Sequence, residues 1–359
     1  MTQNSTRSYF ADYIRVLATL AVIVLHSSGD VLYSFAKENF IFNYWWTANV
    51  FDGGTRWCVP IFVMLSGMLL LRPRRTESIK AFLTQRTTRV MIPYFFWCFV
   101  YLCYVYRGNI RDWKQPNWAE VWDLFLFKET YYHLWFVPMI LGLYFLTPIL
   151  RVLIKHCTRF EIEYFLTFWM ITNIFGSYFP NFFLVRYIGW LAYVGYFILG
   201  DYINTYTFDS RTRKWIFIAG LIGQIVTIAG TWQSSAWFGY FSDQFYLYLS
   251  VNVTATSIAI FTWGKYYDWN RFVVRFPNLH NAVLYFSEIS FGVYLIHVLF
   301  LDCFKNAYIF DIKIYYDVFF NHWIHPMFGI PLLALSVTLM SILSISIIKK
   351  IPILNKISL

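Results

Sequence analysis

The segment ADYIRVLATLAVIVLH sets Asp12, Arg15 and His26 into an otherwise apolar run. Arg15 and His26 are eleven residues apart, which on a helix is about 20° past three full turns. Their side chains therefore leave one face, separated by about 16 Å along the axis. Asp12 lies three residues before Arg15, close enough to pair with it. Ionisable groups inside a bilayer are costly and mark functional sites by default. Arg15 alone could be an anchor snorkelling to the interface, and His26 alone a hydrogen bond between helices. A shared polar line reads better as the wall of a cavity crossing the membrane.

Other residues carry chemistry in the same setting. The apolar run Trp57 to Leu71 covers only about 22 Å of helix, less than a roughly 30 Å hydrocarbon core. Its helix must begin earlier, which places Arg56 in the outer leaflet with Asp52 one turn before it. Arg56 can contact an anionic or polyhydroxyl ligand from outside, or simply close a salt bridge. Arg86 and Arg89 are three apart on what should be the opening turn of a helix. Such a guanidinium pair can grip phosphates bidentately or hold lipid headgroups. In SEISFGVYLIH, Ser290, Tyr294 and His297 fall within about 60° of one another, whereas Glu288 is half a turn out of phase with His297. His133 and Trp135 stand at the outer start of a span, at a cavity mouth or, by default, in the aromatic belt. The five cysteines form no CxxC pair, so neither a zinc site nor a disulfide framework is expected.

Composition defines the elements that must position these groups. Of 359 residues, 58% are apolar and 13% charged, and aromatic residues alone make up 23%. That composition excludes a soluble core, a disordered chain and a secreted disulfide scaffold. Ten apolar spans are expected near 10–33, 46–71, 90–106, 133–150, 162–178, 187–203, 215–232, 244–263, 283–304 and 326–348. With both termini cytoplasmic, 19 of the 29 Lys and Arg fall on the cytoplasmic side and 9 on the other. This is the positive-inside distribution, so the net charge of +10 is a topology signal and no nucleic-acid partner is expected. The expected fold is all-α: a polytopic membrane protein of about ten helices, one domain over 1–359 with no appended soluble domain. The connection from Arg107 to Tyr132, with Trp113, Trp118 and Trp122, is expected to form an interfacial cap.

The ordered set of segments resembles the acyltransferase 3 family of integral-membrane O-acyltransferases. The resemblance rests on Asp12, Arg15 and His26; on Pro60, Phe62, Ser66 and Gly67 in VPIFVMLSGMLL; on Arg86 and Arg89 leading into IPYFFW; and on HLWFVPMILGLYFLTPIL and SFGVYLIH. These segments extend over most of the chain, and HLWF resembles the subgroup of the enterobacterial common antigen O-acetyltransferase. The chain departs from the family where HLWFVPMI replaces a motif carrying Glu, which weakens any acidic catalytic role.

The resemblance implies a multi-pass protein of the bacterial cytoplasmic (inner) membrane, with acyl-CoA, most readily acetyl-CoA, as donor substrate and no tightly bound cofactor or metal. Its acceptor would be a hydroxyl of a surface polysaccharide or lipid-linked glycan on the outer side. Arg86 and Arg89 would hold the CoA phosphates, and His26 would act either as general base or as a covalent acyl carrier. Arg15, with Asp12, would position the donor or stabilise charge at the thioester. Arg56, Trp135, Tyr294 and His297 are candidate acceptor contacts. The rival expectation is a transporter or flippase in which Arg15, His26 and Arg56 line a substrate or proton path; such folds often carry internal repeats, and no convincing one is present. A second rival is the unrelated class of membrane-bound O-acyltransferases, whose key histidine lies late in the chain, as His297 does.

Overall fold

In lipid every backbone polar group must be satisfied within its own segment, so apolar runs bounded by charge fold as long helices. The computed structural model describes residues 9–35, 40–73, 77–126, 128–179, 192–306, 308–309, 312–313, 324–352, 354 and 357. The helices are α1 (Tyr9–Leu32), α2 (Phe42–Gly53), α3 (Cys58–Leu70), α4 (Ile79–Val105), α5 (Arg107–Arg111), α6 (Trp118–Leu126) and α7 (Phe136–His156). They continue with α8 (Arg159–Tyr178), α9 (Ala192–Thr205), α10 (Ser210–Phe238), α11 (Val251–Tyr266), α12 (Trp269–Arg275), α13 (Pro277–Asn306) and α14 (Pro326–Lys350). The described strands are two residues each, β1 (Tyr308–Ile309) pairing antiparallel with β2 (Ile312–Lys313).

Eight segments among the described residues are long and apolar enough to cross a membrane: α1, α2 with α3, α4, α7, α10, the stretch holding α11, α13 and α14. The protein is an all-α polytopic membrane protein. The fifth expected span falls on α8 and the sixth on α9, although residues 187–191 lie outside the described residues. Contacts between helix ends fix the direction of each traverse. At one end Arg72 pairs with Asp201 of α9, Arg151 of α7 donates to the Leu70 carbonyl, and Lys349 of α14 pairs with Glu288 of α13. Tyr13 of α1 is hydrogen-bonded to His280 of α13 at that same end. At the other end Lys305 of α13 pairs with Asp30 of α1, and Tyr178 of α8 donates to Asn252 of α11. The first will be called the basic end, the second the outer end.

Two boundaries differ from the sequence expectation, each for a local reason. The second span is not one helix: Gly54, Thr55 and Cys58 donate to carbonyls three or four residues back in a turn, and α3 restarts with Pro60 in its first turn. Proline is tolerated there because first-turn N–H groups have no intrahelical partner. Helix α4 begins eleven residues before the expected 90, capped by the Ser78 hydroxyl, which accepts from the Ala81 N–H. Arg86 and Arg89 therefore sit two to three turns inside α4, not on its opening turn. The connection expected to form an interfacial cap over Arg107 to Tyr132 holds α5 and α6, with Trp113, Trp118 and Trp122 exposed.

Close crossings hold the bundle around α1 and α3. A Cβ on Gly67 would lie 1.7 Å from the Phe197 carbonyl oxygen, and one on Gly200 would lie 1.9 Å from that of Met64. The pair lets α3 and α9 pack backbone to backbone, the small-residue packing typical of membrane helices. That contact leaves the opposite face of α3, carrying Phe62 and Ser66, free to line a cavity.

Candidate active site

Helix α1 carries the polar line from end to end. Near the basic end the Arg15 Nη1 donates to Ser287 Oγ of α13 at 2.9 Å, and Ser287 Oγ donates to Asp12 Oδ1 at 2.6 Å. Arg15 and Asp12 approach to 3.4 Å. The serine thus ties the guanidinium and its carboxylate to α13, and the Asp12–Arg15 pairing expected from sequence is present.

Arg15 lines a vestibule of about 510 Å³ together with Arg86 and Arg89 of α4, Ser66 of α3, Tyr144 of α7 and Ser290 of α13. Among the described residues neither Arg86 nor Arg89 forms an ion pair, and Arg86 Nε is buried without a hydrogen-bond partner. Glu288 also reaches the vestibule, contrary to its expected separation from the Ser290–Tyr294 face, and its carboxylate is taken by Lys349 at 2.7 Å.

Phe62, Phe136 and Tyr294 are shared between the vestibule and a narrow neck that also holds His26, Cys58 and Trp135. The neck has about 30 Å³ of space, room for no more than about two waters. His26 faces His297 with ring centroids 5.3 Å apart, and His133 also stands 5.3 Å from His297. His297 Nδ1 lies 2.6 Å from the Tyr294 carbonyl and His133 Nε2 lies 3.3 Å from that of Leu295. A carbonyl only accepts, so in the neutral rings these nitrogens carry the protons. His297 Nε2 and His133 Nδ1 are therefore lone pairs, and both are buried without a partner among the described residues. Among the described residues His26 makes no hydrogen bond, so its ring is open to the neck. His133 is 2% exposed, and Trp135 stacks on Tyr248 at 5.9 Å. Both belong to the cavity wall, which corrects the default placement in the aromatic belt.

Tyr248 joins the neck to an outer cavity of about 430 Å³. Arg56 lines it, ion-paired to Asp52 as its spacing indicated, with its guanidinium 4.2 Å over the Tyr246 ring. The helix break at Gly54–Trp57 delivers Arg56 to this place. Three cavities in series thus run from the basic end to the outer end, with His26 at the constriction.

Arg15, Arg86 and Arg89 converge on one cavity, and His26, Tyr294 and Trp135 line the next, with His297 buried beside the His26 ring. Arg56 stands apart in the third. Sequence reasoning did not single out Ser287, though it lies one turn before Ser290 on the same stripe. It also passed over Tyr248 and Asn173, neither of which has a charged residue within four positions to mark it.

A helical bundle with eight candidate spans among the described residues and a polar path through it defines a polytopic membrane protein. Residues 8–349 match the model of the acyltransferase 3 family, described as an acyltransferase domain, and the chain belongs to that family. No curated protein and no solved structure matches the chain. The protein is a membrane acyltransferase.

Proposed function

We propose that the protein transfers an acyl group, most simply acetyl, from acyl-CoA at the basic end to a hydroxyl of a surface polysaccharide or its lipid-linked precursor at the outer end. The membrane is the bacterial cytoplasmic membrane, with the basic end facing the cytoplasm as the distribution of Lys and Arg asks. The observation that carries this reading is the series of cavities, with three arginines at one end and, at the constriction, a histidine ring that makes no hydrogen bond among the described residues.

Arg86 and Arg89 bind the CoA phosphates, and Arg15, fixed by Ser287, orients the pantetheine arm. The thioester enters the neck when Phe62 and Phe136 turn aside, since the neck as it stands is too small for it. His297 Nε2 can accept only from a donor, and the His26 ring is the one beside it. Such a bond would leave the second His26 nitrogen as a lone pair facing the neck, the arrangement of a base oriented by a neighbour. His26 takes the proton of the acceptor hydroxyl as its oxygen attacks the thioester carbonyl. The C–S bond breaks, and the thiolate leaves and is protonated to CoA–SH.

His26→Ala, in purified protein with acetyl-CoA and a glycan acceptor, is expected to lose at least about 10³-fold in turnover, within the range for removing a catalytic base. The CoA-induced rise in Tm should survive. Wild-type turnover in His26→Ala ends the catalytic assignment.

A further inference from the structure

The outer cavity is built differently from a site for a charged ligand. Its cation, Arg56, is neutralised by Asp52 and covered by the Tyr246 ring. A further carboxylate, Asp243, stands exposed on the lining. A phosphate or carboxylate entering here would meet a spent guanidinium and a like charge.

The uncharged groups are the ones with capacity to spare. Asn173 of α8 is 6% exposed, and its Nδ2 is buried with no hydrogen-bond partner among the described residues. Buried amides are normally satisfied, so an open one facing a cavity points to a ligand. Among the described residues the hydroxyls of Tyr193 and Tyr248 also have no partner, and both rings line the cavity. Trp135 stacks behind Tyr248, stiffening it as a flat wall. A polyhydroxyl ring has both features this lining can use: an apolar face of C–H groups that lies on an aromatic ring, and hydroxyls that take hydrogen bonds from an amide and phenols.

We infer that the outer cavity is the acceptor subsite for one uncharged sugar ring, recognised by Asn173, Tyr193 and Tyr248 and guarded against anionic sugars by Asp243. This rests on the acyl-transfer reading for the direction of the reaction, though the binding itself does not. Tyr248, shared between this cavity and the neck, sets the ring edge toward His26.

Binding is tested without chemistry. Saturation-transfer NMR on the purified protein would compare methyl glycosides of hexoses and N-acetylhexosamines with the methyl glycoside of a hexuronate. Neutral glycosides should give ring-proton signals and the hexuronate little or none. Asn173→Ala should weaken neutral-sugar binding about tenfold, as expected for one lost hydrogen bond from a buried site, while the CoA-induced Tm rise persists. Asp243→Asn should admit the hexuronate, a gain that misfolding cannot imitate. Equal or stronger hexuronate binding by the wild type overturns the proposal, as does unchanged affinity in Asn173→Ala. If neutral sugars bind as described but no acetyl transfer from acetyl-CoA occurs, the subsite stands and the acyl-transfer reading falls.

Discussion

The two end cavities are of similar size, about 510 and 430 Å³, yet they handle their arginines in opposite ways. At the basic end Arg86 and Arg89 keep their charge unpaired among the described residues, and Arg15 shares Asp12 with a serine. At the outer end Arg56 is locked to a buried carboxylate and lies against an aromatic ring. A free guanidinium pair at a partly exposed mouth attracts a polyanion over a distance set by salt. A neutralised guanidinium offers shape and residual N–H donors without net attraction. The contrast separates the two ends by ligand charge: a phosphate-bearing donor at one, an uncharged ring at the other. His26, placed between them by eleven residues of helix, is the point at which the two ligands would meet.

The sharpest way to break this comparison is to remove charge from one end and ask whether the other notices. Arg86→Ala with Arg89→Ala should raise the KM for acetyl-CoA by about 10² or more, since hydrogen bonds to charged groups contribute about 1.5–3 kcal/mol each. The acceptor KM should hardly move. Arg56→Ala should do the reverse in part, weakening the acceptor and lowering Tm by stranding Asp52 as a buried charge. Steady-state kinetics with each substrate varied in turn decides the matter. Parallel losses for both substrates in the Arg86/Arg89 variant would remove the division of labour.

A smaller effect should follow from Ser287. Ser287→Ala leaves Asp12 beside Arg15 but cuts the link to α13. The donor KM should rise about three- to tenfold, the value of one neutral-to-charged hydrogen bond reduced by the surviving ion pair. The pH profile of turnover should keep its shape, because His26 is not touched. A changed profile would mean that Arg15 acts on the base itself and not on the donor.

How much of this was legible in the sequence follows from what periodicity can see. The Arg15–His26 line was readable because both residues lie on one unbroken helix, where a phase angle is a fact about space. The Asp52–Arg56 pair forms although α2 ends at Gly53, one residue after Asp52, because the turn that follows keeps a near-helical course. What failed needed information from other helices. Hydropathy marks where lipid begins, not where a helix does, so the capped polar start of α4 was invisible and Arg86 was placed on the wrong turn. His133 and Trp135 matched an aromatic belt because nothing local shows that Tyr248 and His297 lie against them. Asn173 becomes notable only as an amide left open in a cavity, a property of packing and not of type.

The finest test of the comparison uses salt alone, on unmodified protein. Screening shortens the reach of exposed charge from about 30 Å at 0.01 M to about 10 Å at 0.1 M and about 3 Å at 1 M. Arg86 and Arg89 form no ion pair among the described residues, so the KM for acetyl-CoA should climb several-fold between about 0.05 and 0.5 M NaCl. At the outer end the Arg56–Asp52 pair is already neutral, and a neutral ring has no charge to screen. The acceptor KM should therefore stay within about twofold, provided the same salt leaves Tm unchanged. A steep salt dependence of the acceptor would mean that Arg56 meets an anion after all, and the contrast between the two ends would be one of burial and not of ligand charge.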